Sequence, residues 1–136
     1  MELNIRPLNS CDYSETLVGW WKDWSWEAPK RDFLPDDGTG GFIVYDGDTP
    51  VCAGFIYVTN SKVAWADWII SNKSYTDKKG REHSLKLLLL SLTNACKLSG
   101  CKFVYALIKN DSLISKYEDL GYVKGDSYQT EMIKKL

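Results

Sequence analysis

Apolar residues recur along this chain with a period that changes several times, and each change marks an element. Residues 3–7 (LNIRP) alternate like a short strand, and Pro7 limits how far it can pair. Asp12 or Ser14 can then cap a helix that carries Leu17, Val18, Trp20, Trp21 and Trp24 and fades near Ala28–Pro29. Residues 29–41 hold prolines, glycines and acids and read as a loop, with a helical turn around Phe33. Two apolar runs in GFIVYDGDTPVCAGFIYV flank an Asp46–Gly47 turn, which predicts an antiparallel hairpin. A third strand, VAWADWIIS at 63–71, follows the turn Asn60–Ser61–Lys62.

The helical period takes over from Gly80 to Leu98. Leu85, Leu88, Leu89, Leu92 and Cys96 recur at steps of three and four, and Leu87 and Leu90 widen the stripe. Ser99–Gly100 ends that helix. CKFVYALI at 101–108 is continuously apolar and predicts an interior strand. DSLISKYEDLG at 111–121 predicts a helix opened by an Asp cap and stopped at Gly121, and YVKG and SYQTEMIKKL predict two closing strands. One helix joins strands 63–71 and 101–108, a crossover that makes this pair parallel while the other strands are antiparallel. The expectation is an α+β domain spanning 1–136: an α/β/α sandwich with a mixed, mostly antiparallel sheet and a splayed central parallel pair.

Composition narrows the function classes. The 136 residues are 44% hydrophobic and 26% charged with a net charge of −1, so no global basic field recruits nucleic acid or anionic lipid. No stretch approaches the ~18 apolar residues of a membrane span, and the N-terminus lacks the apolar region of a signal peptide. Cys11, Cys52, Cys96 and Cys101 form no C-x-x-C pair, and the single His83 cannot complete a zinc set. Reduced, mostly buried thiols and a cytoplasmic chain without metal follow as expectations.

Two segments carry candidate chemistry. SNKSYTDKKGREHS, residues 71–84, is basic, contains Gly80 and runs into a helix N-terminus, whose free amides and dipole suit a phosphate; Lys78, Lys79 and Arg81 add charge. NDSLISKYEDLGY, residues 110–122, places Tyr117 two helical turns after Asn110, and a tyrosine hydroxyl can act as general acid toward a leaving thiolate. Read alone, the first is also consistent with a solvated loop and the second with a packing tyrosine.

Together the element order, the basic loop before the central helix and the segment with Asn110, Tyr117, Glu118, Leu120, Gly121 and Tyr122 resemble the GCN5-related N-acetyltransferase (GNAT) superfamily over nearly the whole chain. TNSKVAWADWIISN, the tryptophan-rich first helix and the LPDDG junction further resemble small acetyltransferase-like proteins of bacteriophages, for which the setting is the host cytoplasm.

The resemblance implies acetyl-CoA as acyl donor, lying where strands 63–71 and 101–108 splay apart. Ile69, Ile70 and Ser71 would pair with the pantetheine arm, and Asn110 would fix the strand–helix junction and touch it. The diphosphate would rest on Asp77-Lys78-Lys79-Gly80-Arg81-Glu82, followed by His83 and Ser84. This loop departs from the family pattern, with Asp77 for Gln or Arg and Glu82 for a small residue, and a carboxylate there would repel a diphosphate. Tyr117 would protonate the departing thiolate. Asp67, the only carboxylate in its strand, alternates with Trp65 and Ile69 on one face and would serve as base. His83 lies away from the reacting centre.

The implied reaction is direct transfer to an amine: a protein lysine, a protein N-terminus or a small amine, by a monomer or homodimer. The other readings are a catalytically impaired phage protein acting as a binding or virion-associated module, and a homodimeric structural module. In WWKDWSW (residues 20–26), Trp20, Trp21 and Trp24 share helical faces with Leu17 and Val18 and argue packing. Trp26, beyond the helix, is placed to line an acceptor cleft or a partner contact. Asp32, Asp36 and Asp37 form an acid cluster on the same loop, either solvated or attractive to a cation.

Overall fold

The structure, a computed structural model, describes residues 1–136. Five strands run in chain order across one sheet: β1 (Leu3–Pro7), β2 (Gly41–Asp46), β3 (Thr49–Val58), β4 (Val63–Ser71) and β5 (Phe103–Tyr105). The first three pairings are antiparallel, and β4 pairs with β5 in parallel. A π-helical turn (Tyr13–Leu17) runs into α1 (Val18–Asp23), and 3-10 turns at Arg31–Phe33 and Pro35–Gly38 follow. Helix α2 (Lys78–Leu98) makes the β4-to-β5 crossover, and α3 (Asp111–Asp119) follows β5.

Alternation in the strands builds a core on each side of the sheet. Ile43, Ala53, Phe55 and Ile70 face α1 and bury Leu17, Trp20 and Trp21 against themselves. Val44, Cys52 and Ala66 face the other way, toward Leu88, Leu89 and Leu92 of α2 and Tyr117 of α3. Each of the larger aliphatic and aromatic side chains taken from water contributes about 1.5–3 kcal/mol, so two helical layers on one sheet hold the chain together. This is the expected sandwich.

Several local expectations are corrected. Neither Asp12 nor Ser14 caps the first helix. Asn9 does, its Oδ1 accepting from the Cys11 and Asp12 amides at 3.0 and 3.2 Å, while Asp12 Oδ2 accepts from the Asn9 amide at 2.8 Å. That reciprocal arrangement is a capping box one turn upstream, and Asp12 is held in it by Arg6 at 2.8 Å. The helix stops at Trp24, before Ala28–Pro29. In the hairpin Asp46 still pairs with Thr49, so Gly47 and Asp48 form the two-residue loop. Asn110, not Asp111, caps α3, accepting from the Leu113 amide at 3.0 Å. Gly100 and Gly121, both at positive φ, end α2 and α3.

The larger correction concerns the far edge. The run 101–108 forms a strand only over Phe103–Tyr105, and it lies at the edge of the sheet, because residues 122–136 form no strand beside it. Val104, Ala106 and Ile108 turn toward the α2 core, whereas Phe103, Tyr105 and Leu107 are exposed. Apolar residues on both faces had hidden this alternation. Of the four free cysteines, Cys52 and Cys96 are buried, Cys101 is partly so and Cys11 is exposed. No helix is long and apolar enough to cross a membrane.

Candidate functional site

The site grows from a defect in β4. Ile70 pairs with Ala53 and Asp67 with Phe55, so Trp68 and Ile69 together oppose the single residue Gly54. This is a β-bulge, and Trp68 sits in it at φ 57, a conformation that costs a bulky residue about 1–3 kcal/mol. The extra residue resets the alternation. Trp65 and Asp67 share a face as expected, but Ile69 is thrown to the opposite side, toward Leu88 and Leu92. The reading that grouped Ile69 with Asp67 assumed an unbroken period of two.

β4 and β5 part a few residues before the bulge. Their pairing ends at Trp65 and Tyr105. Across the gap, Asp67 Oδ2 accepts from the Leu107 amide at 3.2 Å, and its Oδ1 accepts from the Trp68 amide at 3.0 Å. Burial raises the Asp67 pKa, and the two amides only partly offset it. The result is a half-buried carboxylate at the mouth of an opening between two parallel strands.

Tyr117 approaches the same point from the α2 side. It is 2% exposed, and its hydroxyl donates to the Ala66 carbonyl at 2.8 Å, beside Asp67 in the chain. The ring is held edge-on to Tyr122 at 4.9 Å. Burial, then the Asp67 charge, pushes the phenol well above the ordinary tyrosine range.

The end of β4 and the start of α2 lie together. Arg81 donates to the carbonyls of Asn72 and Tyr75, which fixes the connecting loop but commits that guanidinium to the backbone. Asp77 caps α2, its Oδ1 accepting from the Gly80 amide at 3.0 Å. A Cβ on Gly80 would fall 1.9 Å from the Tyr75 hydroxyl, so a larger residue there would displace the Tyr75 ring from its bond to Asp46. Glu82 faces solvent and pairs with Lys86 at 3.5 Å. Lys78, Lys79 and His83 are exposed, and Ser84 is buried with its hydroxyl unpartnered. The amides of Lys78 and Lys79 have no intrahelical acceptor, by their position in the first turn. An anion at this helix start would thus meet two free amides and two lysines, with the Asp77 carboxylate beside them.

Trp26 lies beyond the helix, as its place in the sequence implies. It is 56% exposed and stacks on Trp24 at 5.9 Å, and Trp24 donates its indole N–H to the Ser71 carbonyl at 2.8 Å. Trp24 thus anchors this stacked pair to the last residue of β4. The concavity beside Asp67, about 440 Å³, is instead walled by Phe33, Tyr57, Trp65 and Trp68. Burial and then the Asp67 charge push Tyr57 up to about 12. The sequence signal for these walls was thin: Trp65 was visible as a facial neighbour of Asp67 and Phe33 as a helical turn, but nothing brought Tyr57 or Trp68 in. Asp32 and Asp37 do not line this concavity, and Asp36 lines a larger one of about 600 Å³ near Pro7, Gly41 and Ser99, which holds none of the predicted site residues. Asn110 spends its side chain on the α3 cap.

No protein-family model matches this sequence, and no curated protein sequence does. Solved structures do match. Glucosamine-6-phosphate N-acetyltransferase from Arabidopsis thaliana superposes with a TM-score of 0.69 at 13% identity, over 98% of this chain and 100% of that one. AAC(6')-Iy, solved in complex with the bisubstrate analog CoA-S-monomethyl-acetylneamine, gives 0.67 at 17% identity, over 98% and 99%. The ribosomal-protein-S18-alanine N-acetyltransferase from Escherichia coli gives 0.67 at 15% identity, over 91% and 79%. At such identities the likeness is one of fold: the mixed sheet with its parallel β4–β5 pair, flanked by helices, is the GNAT acetyltransferase fold.

Proposed function

We propose that this protein transfers an acetyl group from acetyl-CoA to a primary amine. The observation that supports this best is the half-buried Asp67 carboxylate in the gap where β4 and β5 part, with the Tyr117 hydroxyl held on the carbonyl of the preceding residue, Ala66. Acetyl-CoA supplies the acyl group as a thioester, already activated for attack. The β4 edge at Ile69 and Ile70 would hold its pantetheine arm, with Ser71 and Asn110 at the two ends of the opening. The amides and side chains of Lys78 and Lys79 would take the diphosphate, with Gly80 and Arg81 shaping the loop and Glu82, His83 and Ser84 following it.

An ammonium acceptor must lose two protons as its nitrogen bonds the acetyl carbon and the carbon–sulfur bond breaks. Asp67 takes one and passes it to solvent. It takes the other in the same way as the tetrahedral adduct collapses, while the leaving sulfur takes a proton from Tyr117 and the phenol regains one from solvent, for a net release of one proton. The two groups are coupled: the Asp67 charge holds Tyr117 up, so neutralising Asp67 makes the phenol a better donor at the moment the thiolate forms. Free cysteines suit a reducing, cytoplasmic setting.

A second reading keeps the fold and loses catalysis, leaving a binding module of the kind a bacteriophage could carry. The Asp77 carboxylate on the Gly80 amide favours it, because a diphosphate would have to approach that charge.

Thermal unfolding separates the two readings. Acetyl-CoA at a hundredfold excess over its Kd should stabilise the fold by about 2.7 kcal/mol, read as a rise in Tm. No rise at about 1 mM acetyl-CoA or CoA would remove the enzyme reading. Tyr117→Phe tests the acid. Leaving the Ala66 carbonyl unpaired should cost about 1–3 kcal/mol of stability, with the acetyl-CoA shift retained and turnover lost. Turnover at the unsubstituted rate would show that Tyr117 only packs.

A further inference from the structure

We propose that the concavity beside Asp67 is an aromatic box for a cationic amine carried on an apolar or aromatic stem, and that it excludes amines bearing phosphate or carboxylate. This rests on reading the β4–β5 opening as the acyl-transfer site, and it names the acceptor class of that site.

Charge comes first. Asp67 is the sole charged residue lining the space, and no lysine, arginine or histidine accompanies it. Its two oxygens each accept one backbone amide, which leaves acceptor capacity for an ammonium. An anionic substituent would meet this carboxylate with no cation to offset it.

Shape and rigidity come second. Phe33, Tyr57, Trp65 and Trp68 supply the walls, and a cation is drawn to the faces of such rings. Each ring is fixed by a neighbour. Trp68 meets Phe33 edge-on at 5.7 Å and Trp21 at 6.4 Å, and Trp65 meets Tyr105 at 5.0 Å. The Tyr57 hydroxyl donates to the Phe33 carbonyl at 3.0 Å, which ties the 31–33 turn to β3. The box therefore loses little side-chain freedom when it is filled.

The strained backbone is the third observation. Trp68 holds a positive φ that an ordinary strand would not require, and the bulge sets its ring beside Asp67 instead of one strand position away. At about 440 Å³ the space takes a small amine or the end of one side chain.

The binding arm of the test needs no acyl donor, and a second arm adds acetyl-CoA to the same amines and follows acetylation. Three probes are titrated into the full chain while the indole N–H resonances are followed by NMR: 2-phenylethylammonium, 2-phenylethanol and glucosamine 6-phosphate. The ammonium should bind and shift the Trp65 and Trp68 signals. The alcohol, with the same stem and no charge, should bind at least about tenfold more weakly, and the sugar phosphate should not bind. Asp67→Asn and Trp65→Ala should each weaken the ammonium by a similar factor. If either variant fails to fold, the three-probe comparison on the unsubstituted protein still decides. Equal binding of the alcohol, binding of the sugar phosphate, or no binding of the ammonium would overturn the box. Ammonium binding without acetylation would support the box and remove the acyl-transfer reading. Acetylation of the sugar phosphate in preference to phenylethylamine would do the reverse.

Discussion

Replacing Asp67 by asparagine should lower kcat for acetyl transfer by about 10²–10⁴, the usual contribution of a positioned general base. The acetyl-CoA thermal shift should persist, because the carboxylate faces the acceptor side of the opening. The pH profile gives the sharper readout. Burial disfavours the charged form of Asp67, so its carboxyl holds a proton at pH values where an exposed aspartate has lost it. Activity should therefore rise with pH through an inflection above the ordinary aspartate value of about 3.9. Stability should move the other way, since the folded state binds that proton more tightly than the unfolded chain does. This group's contribution is full below about 3.9 and is lost as pH climbs through the raised folded value. In Asp67→Asn the acid limb of the rate profile should vanish, while the limb set by the substrate amine remains. An asparagine variant that kept both its rate and its acid limb would exclude Asp67 as the base.

The largest effect on stability should come from Gly41→Ala. A Cβ at Gly41 would lie 1.9 Å from the Gly54 carbonyl oxygen and 2.9 Å from the Phe55 Cα, and both atoms are backbone of the paired strand. No rotamer can relieve that clash, so β2 and β3 must separate locally. The loss should reach about 3 kcal/mol, the upper part of the usual range for overpacking, and lower Tm by about 10 °C. Gly54→Ala is the comparison. Its Cβ would meet the Ile69 and Leu92 methyl groups at 2.5 and 2.9 Å, the ends of side chains that can turn aside. Chemical denaturation of the two variants should rank Gly41→Ala as the worse. If it were as stable as the parent, the β2–β3 register described above would be wrong at that point.

These two sites show unequal degrees of legibility. The hairpin and its neighbours could be read because alternation in GFIVYDGDTPVCAGFIYV and VAWADWIIS is local, and a turn between two such runs leaves little choice of partner. The stripe of Leu85, Leu88, Leu89, Leu92 and Cys96 likewise announced α2. Even the caps were misread by no more than a turn, since Asn9 and Asn110 compete with nearby residues of similar chemistry.

The open edge was less accessible. A continuous apolar run does not state how many of its faces are covered, and the closing strands expected at 122–125 and 127–136 do not form. For the tryptophans the division drawn from helical spacing held in part. Trp20 and Trp21 are core, Trp24 is half-buried and packs against them while bonding Ser71, and Trp26 is exposed. The walls of the concavity beside Asp67 came from elsewhere in the chain.

By itself the sequence determined the layers of this protein: which runs pair, which helix crosses over, and which faces are apolar. These are consequences of period, turn chemistry and capping, all of which act over a few residues. Only the tertiary structure decided where β4 breaks step. One extra residue opposite Gly54 sends Ile69 to the far face, brings Trp68 beside Asp67, and seats that carboxylate between diverging strands against rings from Phe33 and Tyr57. A bulge is a property of two strands in register, so no single stretch of the chain contains it.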